Sequence, residues 1–149
     1  MVSSRLFGRD RLVVPERLLQ AVSDHVAASH PHEAGGYLVC ERGDPLRAVD
    51  HVPLDNEAEE PRRRFVTTVE RPPPRPRVFY HSHTSPASPS DLTRLDRKIP
   101  EEYLLVVFAP HGDPYGYRLF RRGTFGWREL SVESEGPERD SATRLPRLV

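Results

Sequence analysis

The run Tyr80-His81-Ser82-His83 is the feature that most constrains what this chain can fold into. It ends a β-prone stretch that begins at Arg77. Alternate residues of a strand point to the same face, so the imidazoles of His81 and His83 can aim at one point while Ser82 points away. Imidazole nitrogen is a common ligand of metal ions. The run therefore predicts a strand that carries two metal ligands.

A carboxylate follows the two histidines after a short loop rich in serine and proline. It is Asp91, near the start of a helix predicted from Ser90 to Lys98. Two imidazoles and one carboxylate make three ligands, and the fourth position of a tetrahedral zinc ion then stays open for water. This is the ligand number of a catalytic zinc site rather than a structural one. The sequence predicts Zn²⁺ bound by His81, His83 and Asp91.

Composition limits the classes of protein to which this chain can belong. The chain has 149 residues, a usual size for one domain, and its 22 basic and 22 acidic residues give a formal net charge of zero. This balance gives no indication of a nucleic-acid or membrane partner. The single cysteine, Cys40, excludes an intrachain disulfide and a cysteine-based zinc cluster. Without a long apolar run or a signal-like N-terminus, a cytoplasmic protein is expected.

Hydrophobic patterning predicts an α/β (α+β) fold with a mixed sheet flanked by two helices. Apolar residues spaced three and four apart predict one helix from Pro15 to about Ser29, and the second is the helix that contains Asp91. The predicted strands are residues 11–14, 37–40, 46–52, 65–68, 78–83, 103–109, 115–120 and 127–130.

These elements are predicted to form one domain over residues 11–130. Residues 1–10 are predicted to be a flexible lead-in, and residues 131–149 a disordered tail because their composition is polar and charged.

A hydrolytic zinc site also needs a group that moves protons, and Glu33 is the candidate. It precedes a predicted buried strand, and the small residues Ala34, Gly35 and Gly36 that follow it let backbones approach closely. A glutamate beside zinc-bound water can take its proton and then deliver it to a leaving amine. A serine hydroxyl, from Ser88 or Ser90, can face the developing oxyanion.

These residues resemble the JAMM (MPN+, JAB) metalloproteases. The segment Glu33-Ala34-Gly35-Gly36-Tyr37-Leu38 matches that family's glutamate-x-x-glycine segment, and His81-Ser82-His83 matches its paired histidines. Asn56 and Phe65 fall where bacterial members often carry an asparagine and a phenylalanine. The resemblance spans roughly Leu12 to Leu130.

The resemblance implies a single-domain zinc-dependent peptidase or isopeptidase. The bacterial branch commonly acts at the C-termini of small ubiquitin-like sulfur-carrier proteins, so such a carrier is the implied partner. Carried over to this chain, the family pattern assigns zinc binding to His81, His83 and Asp91. It makes Glu33 the general base and acid, and gives Ser88, three residues before Asp91, the support of the oxyanion.

The loop after the histidines departs from the family pattern. The family leaves seven residues between the second histidine and the serine, whereas four residues separate His83 from Ser88. If Ser90 were the serine instead, threonine would stand at the aspartate position. Two arrangements remain: a shortened loop with Ser88 and Asp91, or a carboxylate supplied by Asp96, one turn further on.

The shortened loop is the preferred arrangement. It keeps the local serine-x-x-aspartate spacing, and acidic residues suit the start of a helix. Asp96 stands beside Arg94 and Arg97, which predict a surface ion pair for it.

Three functions fit the sequence. The first is a zinc hydrolase that cleaves an amide or isopeptide bond at the C-terminal tail of a small carrier protein, with the tail added to a strand edge beside the site. The second is a zinc amidohydrolase for a small-molecule amide or an amino-acid conjugate. The third is a scaffold that keeps the fold without turnover. The altered loop favours it, whereas the intact Glu33, His81 and His83 argue against it.

Overall fold

The structure is a computed structural model that describes residues 11–85, 92–94, 96–136 and 142–144. These residues form eight strands, one α-helix and one short 3-10 helix. In chain order they are β1 (Arg11–Pro15), α1 (Glu16–Ser29), β2 (Gly35–Glu41), β3 (Leu46–Leu54), β4 (Arg77–His83), the 3-10 helix (Asp96–Lys98), β5 (Tyr103–Phe108), β6 (Gly116–Gly123), β7 (Gly126–Glu135) and β8 (Ala142–Arg144). The predicted α/β class with a mixed sheet is confirmed.

The eight strands form one sheet in the order β1-β3-β2-β4-β5-β6-β7-β8. Strand β7 also pairs with β1, so the first seven strands close on themselves. The pairs β1–β3, β1–β7 and β4–β5 are parallel, and the other pairs are antiparallel. The hairpin predicted between the second and third strands is present.

Helix α1 follows directly after Pro15, where the fixed φ of proline suits a helix start. Its side chains Leu18, Val22 and Val26 are buried in a cluster with residues of the sheet. Burial of such side chains stabilises the fold by about 1.5–3 kcal/mol each. No helix within the described residues is long and apolar enough to cross a membrane.

Strand β4 is buried on both faces and divides its side chains between two clusters. Val78 and Tyr80 belong to the main core, which also contains the apolar face of α1. Phe79 belongs to a second cluster on the opposite face. By the alternation of a strand, His81 and His83 share the face of Phe79. The face of β4 that both histidines share, as predicted, is therefore directed towards the protein interior rather than towards solvent.

The parallel pairing of β4 with β5 shapes the site. Parallel neighbours cannot be joined by a tight turn, because the chain must travel back along the sheet before the second strand begins. Residues 84–102 make this connection between β4 and β5. The 3-10 helix lies within the connection, so the fold returns Asp96 towards the strand that carries the histidines.

Three predicted elements differ from the structure. The predicted strand 65–68 is wrong: these residues make no ladder, and the Phe65 ring packs against Phe79 at 5.8 Å between centroids. Of the predicted helix 90–98, the described residues form only the 3-10 helix. Strand β7 continues to Glu135, beyond the predicted domain boundary, because residues 131–135 pair with β1 and Val132 is buried. Residues 1–10 lie outside the described residues.

Gly36 gives a test of the packing between strands. A Cβ atom at this position would lie 2.5 Å from the backbone oxygen of Val52 and 2.8 Å from the Tyr80 ring. Gly36→Ala is expected to lower the free energy of unfolding by about 1–3 kcal/mol, the usual cost of overpacking. Gly123→Ala is the matched control, since its Cβ atom would lie 3.4 Å from the nearest atom, the backbone oxygen of Gly126. Equal unfolding midpoints in urea for the two variants would contradict this account.

Candidate metal centre

Three buried side chains converge at the end of β4. The Nε2 atom of His81 lies 2.9 Å from Oδ1 of Asp96, and Nε2 of His83 lies 3.3 Å from Oδ2 of the same carboxylate. The two Nε2 atoms are 3.2 Å apart. Among the described residues, these three side chains are the ones whose histidine and carboxylate atoms lie close enough together to share one metal ion.

The cluster fits the zinc ion that the sequence predicts. Two ligands placed about 2.0–2.1 Å from a tetrahedral ion lie roughly 3.3–3.4 Å apart, close to the distances between the three ligand atoms here. Two imidazoles and one carboxylate also have the chemistry of a catalytic zinc site with an open position. His81, His83 and Asp96 are therefore the residues suited to hold the metal.

The charge of the cluster is set by Asp96. Burial alone raises the pKa of its carboxyl group. Hydrogen bonds with His81 and His83 and with the backbone N–H of Thr93 outweigh burial and hold the pKa well below its ordinary value. The side chain is consequently an anion at neutral pH, as a metal ligand must be.

Asp96 is held in place by Thr93. The Thr93 N–H donates to Asp96 Oδ2 at 2.9 Å, and the Asp96 N–H donates to Thr93 Oγ1 at 3.1 Å. This reciprocal pair is the hydrogen-bonding pattern of a capping box, closed here around a 3-10 helix rather than an α-helix. The carboxylate is thus oriented before any metal binds.

Among the described residues, Asp96 is the carboxylate that lies beside the two histidines. Asp91, predicted to be the third ligand, lies outside the described residues, as do Ser88 and Ser90. The expectation that Asp96 forms a surface ion pair is wrong, because it is 6% exposed and contacts both histidines.

Thr93-Arg94-Leu95-Asp96 has the spacing of the family's serine-x-x-aspartate segment, with threonine in place of serine. Residues 84–92 separate His83 from Thr93, so the loop is two residues longer than the family's seven rather than three shorter. The signal in the sequence was the hydroxyl residue three positions before Asp96. Asp96 was the alternative carboxylate in the sequence, and Asp91 was preferred because a serine stands three positions before it.

Glu33 is brought to the histidines by Ser82, the residue between them. The Ala34 N–H donates to Ser82 Oγ at 2.9 Å, and the Ser82 N–H donates to the Ala34 carbonyl at 2.8 Å. These bonds fix the segment before β2 against the end of β4. Glu33 and the three metal-site residues consequently line one cavity of about 350 Å³.

Burial makes Glu33 a weaker acid than an ordinary glutamate. Desolvation raises the pKa of its carboxyl group from 4.5 to about 7, against the opposing charges of His83 and Arg64 and with a further increase from Asp96. A carboxyl group with a pKa near neutrality can both accept and donate a proton. Glu33 therefore shares a cavity with the metal cluster and has an acidity suited to a proton carrier.

Asn56 fixes the loop that covers Glu33. Its Oδ1 atom accepts hydrogen bonds from the backbone N–H groups of Ala58 and Val66. Its Nδ2 group donates to the backbone carbonyls of Glu33, Pro61 and Arg64. One amide side chain thus ties the start of β2 to the loop of residues 57–66, which forms a wall of the cavity.

Comparisons with known proteins agree with this architecture. The family model described as prokaryotic homologs of the JAB domain matches residues 15–123. A search of curated proteins finds no match.

Several solved structures share the fold at low sequence identity. A protein from Desulfitobacterium hafniense is 17% identical with a TM-score of 0.61, over 84% of this chain and 93% of that one. A JAB1/MPN domain protein from Archaeoglobus fulgidus is 18% identical with a TM-score of 0.54, over 84% and 98%. A structure that presents JAMM as a metalloprotease-like zinc site in the proteasome and signalosome is 15% identical with a TM-score of 0.52, over 83% and 97%.

The assignment of the third ligand is tested by comparing two aspartates. Asp96→Ala is expected to weaken zinc binding by at least about 100-fold, since changes to groups that only orient a ligand already cost roughly 10–100-fold. Asp91→Ala is expected to bind zinc like the parent. Competition with a zinc-binding dye measures both affinities. Loss of zinc in Asp91→Ala alone would return the ligand role to that residue.

The acidity of Glu33 predicts a pH-dependent stability in the metal-free protein. Because the folded-state pKa is raised from 4.5 to about 7, folding takes up a proton in this range and stability falls as pH rises through it. Glu33→Gln removes the charge. It is expected to stabilise the fold by up to about 3 kcal/mol above pH 7 and to have little effect below pH 4.5.

The measurement is denaturant unfolding of the metal-free parent and variant across this pH range. Glu59→Gln, at an exposed position of the covering loop, is the control and should follow the parent. A gain from Glu33→Gln that is the same at every pH would show that burial of this charge is not its cause.

Proposed function

Because this chain belongs to the family of prokaryotic JAB-domain homologs, we propose that it is a zinc-dependent hydrolase. Its proposed reaction is cleavage of an amide or isopeptide bond at the C-terminal tail of a small ubiquitin-like sulfur-carrier protein. The observation that carries the proposal is the shared cavity of Glu33 with His81, His83 and Asp96. A proton carrier and a metal-ligand set in one cavity are the two parts that metal-dependent amide hydrolysis uses.

His81, His83 and Asp96 would hold the zinc ion, and when bound it supplies a Lewis acid that polarises a carbonyl and acidifies water. The protein fixes these ligands before binding, because β4 sets the spacing of the two imidazoles and Thr93 orients the carboxylate. Preorganised groups of this kind lose little energy to rearrangement during a reaction.

Glu33 moves the proton. As a carboxylate it accepts a proton from the attacking water, and as a carboxylic acid it donates that proton to the leaving amine. Both forms are accessible at neutral pH, since burial raises its pKa to about 7. Donation from Glu33 requires the leaving amine to lie on the side of the cavity that Glu33 lines.

In this proposal Thr93 takes the part that the family resemblance gave to Ser88. It lines the cavity, and its Oγ1 atom accepts the Asp96 N–H. A hydroxyl that accepts one hydrogen bond keeps its own hydrogen for donation. That hydrogen can face the oxyanion that develops on the scissile carbonyl.

The size of the cavity supports a terminal tail as the substrate. Its volume of about 350 Å³ lies near the lower end of the range for small-molecule sites, so it suits a narrow chain end rather than a folded surface. Strand addition directly at β4 is not available, because β4 already pairs with β2 and β5. The tail would therefore enter past the covering loop of residues 57–66.

The proposal is tested with Glu33→Gln on a carrier-protein conjugate. The variant is expected to keep the zinc content of the parent and to lose at least about 100-fold in turnover, because the amide cannot accept a proton. Mass spectrometry of the carrier C-terminus follows the cleavage, and metal analysis follows the zinc. Turnover that equals that of the parent would remove Glu33 from the mechanism, and a zinc-loaded parent that cleaves no conjugate would favour the scaffold.

A further inference from the structure

The 3-10 helix that contains Asp96 is too short to be stable by itself. It spans Asp96–Lys98. The Arg97 N–H donates to the Thr93 carbonyl at 3.2 Å, and the Ile99 N–H donates to the Asp96 carbonyl at 3.1 Å. A single turn of this kind is marginal in water, because fixing its backbone costs more than so few hydrogen bonds return. Contacts with other elements must therefore help to hold Asp96 beside the histidines.

Arg122, near the end of β6, closes the C-terminal side of this turn. Its Nη2 atom donates to the Arg97 carbonyl at 3.2 Å and also to the Ile99 carbonyl. Its Nε atom donates to the Glu101 carbonyl at 3.4 Å. The last carbonyls of a helix have no partner within it, and basic side chains can satisfy them. One guanidinium group of β6 thus caps the turn that follows Asp96.

Trp127, in β7, contacts the same turn. Its indole N–H donates to the Arg97 carbonyl at 3.3 Å. Trp127 is also the cross-strand partner of Arg122, and the guanidinium carbon of Arg122 lies 4.7 Å from the centroid of the Trp127 rings. A cation is attracted to the face of an indole ring, so each side chain restricts the movement of the other. The pair therefore presents a fixed set of donors to the 3-10 helix.

The turn is held from both of its ends. On the N-terminal side, Thr93 exchanges hydrogen bonds with Asp96. On the C-terminal side, Arg122 and Trp127 donate to the backbone, and the Arg122 N–H donates to the Glu102 carbonyl at 2.8 Å. The second set of bonds ties the connection between β4 and β5 to the β6–β7 hairpin. The place of Asp96 consequently depends on strands that lie far from the histidines in the sequence.

We propose that Arg122 and Trp127 are positioning residues of the metal centre, which act on the ion through the 3-10 helix and Asp96. The inference rests on the zinc site of the proposed function and not on its reaction. Neither side chain lines the cavity, so neither is placed to touch the ion or a substrate there. Their role is to order the turn before the ion binds. A ligand that is already in place does not have to lose conformational freedom on binding, which raises the affinity.

The first test measures zinc affinity by competition with a zinc-binding dye, on full-length chains that circular dichroism shows to be folded. Arg122→Gln is expected to weaken binding at least about tenfold, the lower range for groups that orient a metal ligand. Trp127→Phe keeps an aromatic ring under the guanidinium and removes only the N–H, so a loss of about fivefold, that of one hydrogen bond, is expected. A residue that only stabilises the fold would leave the affinity of a folded chain unchanged.

Arg121→Gln is the matched control. Arg121 is adjacent in β6 and pairs with the Glu102 carboxylate at 2.8 Å, beyond the 3-10 helix. Loss of either arginine removes one positive charge, which by itself favours binding of a cation. A weaker affinity in Arg122→Gln therefore cannot come from the change of charge, and Arg121→Gln should bind zinc at least as well as the parent. Parent-like affinity in Arg122→Gln, or an equal loss in Arg121→Gln, would overturn the inference.

The second test needs no metal. The ring ¹⁵N and ¹H signals of His81 and His83 report on their hydrogen bonds to Asp96. In the metal-free chain, Arg122→Gln should move these signals towards those of Asp96→Ala, whereas Arg121→Gln should leave them as in the parent. Signals of Arg122→Gln that match the parent would show that the arginine does not hold Asp96. If the parent binds no zinc, the proposed function fails, and the ring signals still decide whether Arg122 positions the carboxylate.

Discussion

Two hydrogen bonds between Ser82 and Ala34 hold the candidate site together. They join segments 48 residues apart in the chain, and one of them uses the side chain of the residue between the two histidines. Because Ser82 points away from the metal cluster, it can anchor the glutamate segment without occupying the cavity. The alternation of a single strand thus serves two purposes: one face presents the imidazoles, and the other fastens Glu33 beside them.

The two buried carboxyl groups of the cavity show how local partners decide acidity. Both lose solvent, which by itself raises the pKa of each. Hydrogen bonds with two imidazoles and a backbone N–H lower the pKa of Asp96 more than burial raises it, so its carboxylate stays charged. Glu33 has weaker compensation and is left with a pKa of about 7. One cavity therefore contains a permanent anion and a group that exchanges protons, the division of roles that acid–base catalysis uses.

The sequence predicted what depends on local pattern. The spacing of His81 and His83 identified their strand, the small residues after Glu33 identified the glutamate segment, and apolar periodicity located α1. Which carboxylate lies beside the histidines depends on the path of the connection between two parallel strands, and local spacing does not fix that path. A charged neighbourhood made Asp96 look like a surface residue, although its burial is decided by β4 and the crossover that follows.

The C-terminal part of β7 was not predicted from the sequence, for a similar reason. Residues 131–135 are mostly polar, and only Val132 among them has a buried apolar side chain. Their strand is held by backbone pairing with β1, a partner that no pattern within the segment reveals. Tertiary pairing of this kind overrides local propensity.

The pairing of β1 with β7 has a consequence for how this protein folds. Leu12 lies opposite Val132, so the closure of the sheet joins residues about 120 positions apart. Contacts of such long range are slow to form, because the entropy of a large loop must be lost before they contribute any stability. During synthesis β1 emerges before the other described strands. It cannot pair with β7 until nearly the whole described chain has left the ribosome. The first strand to appear is consequently among the last to be completed.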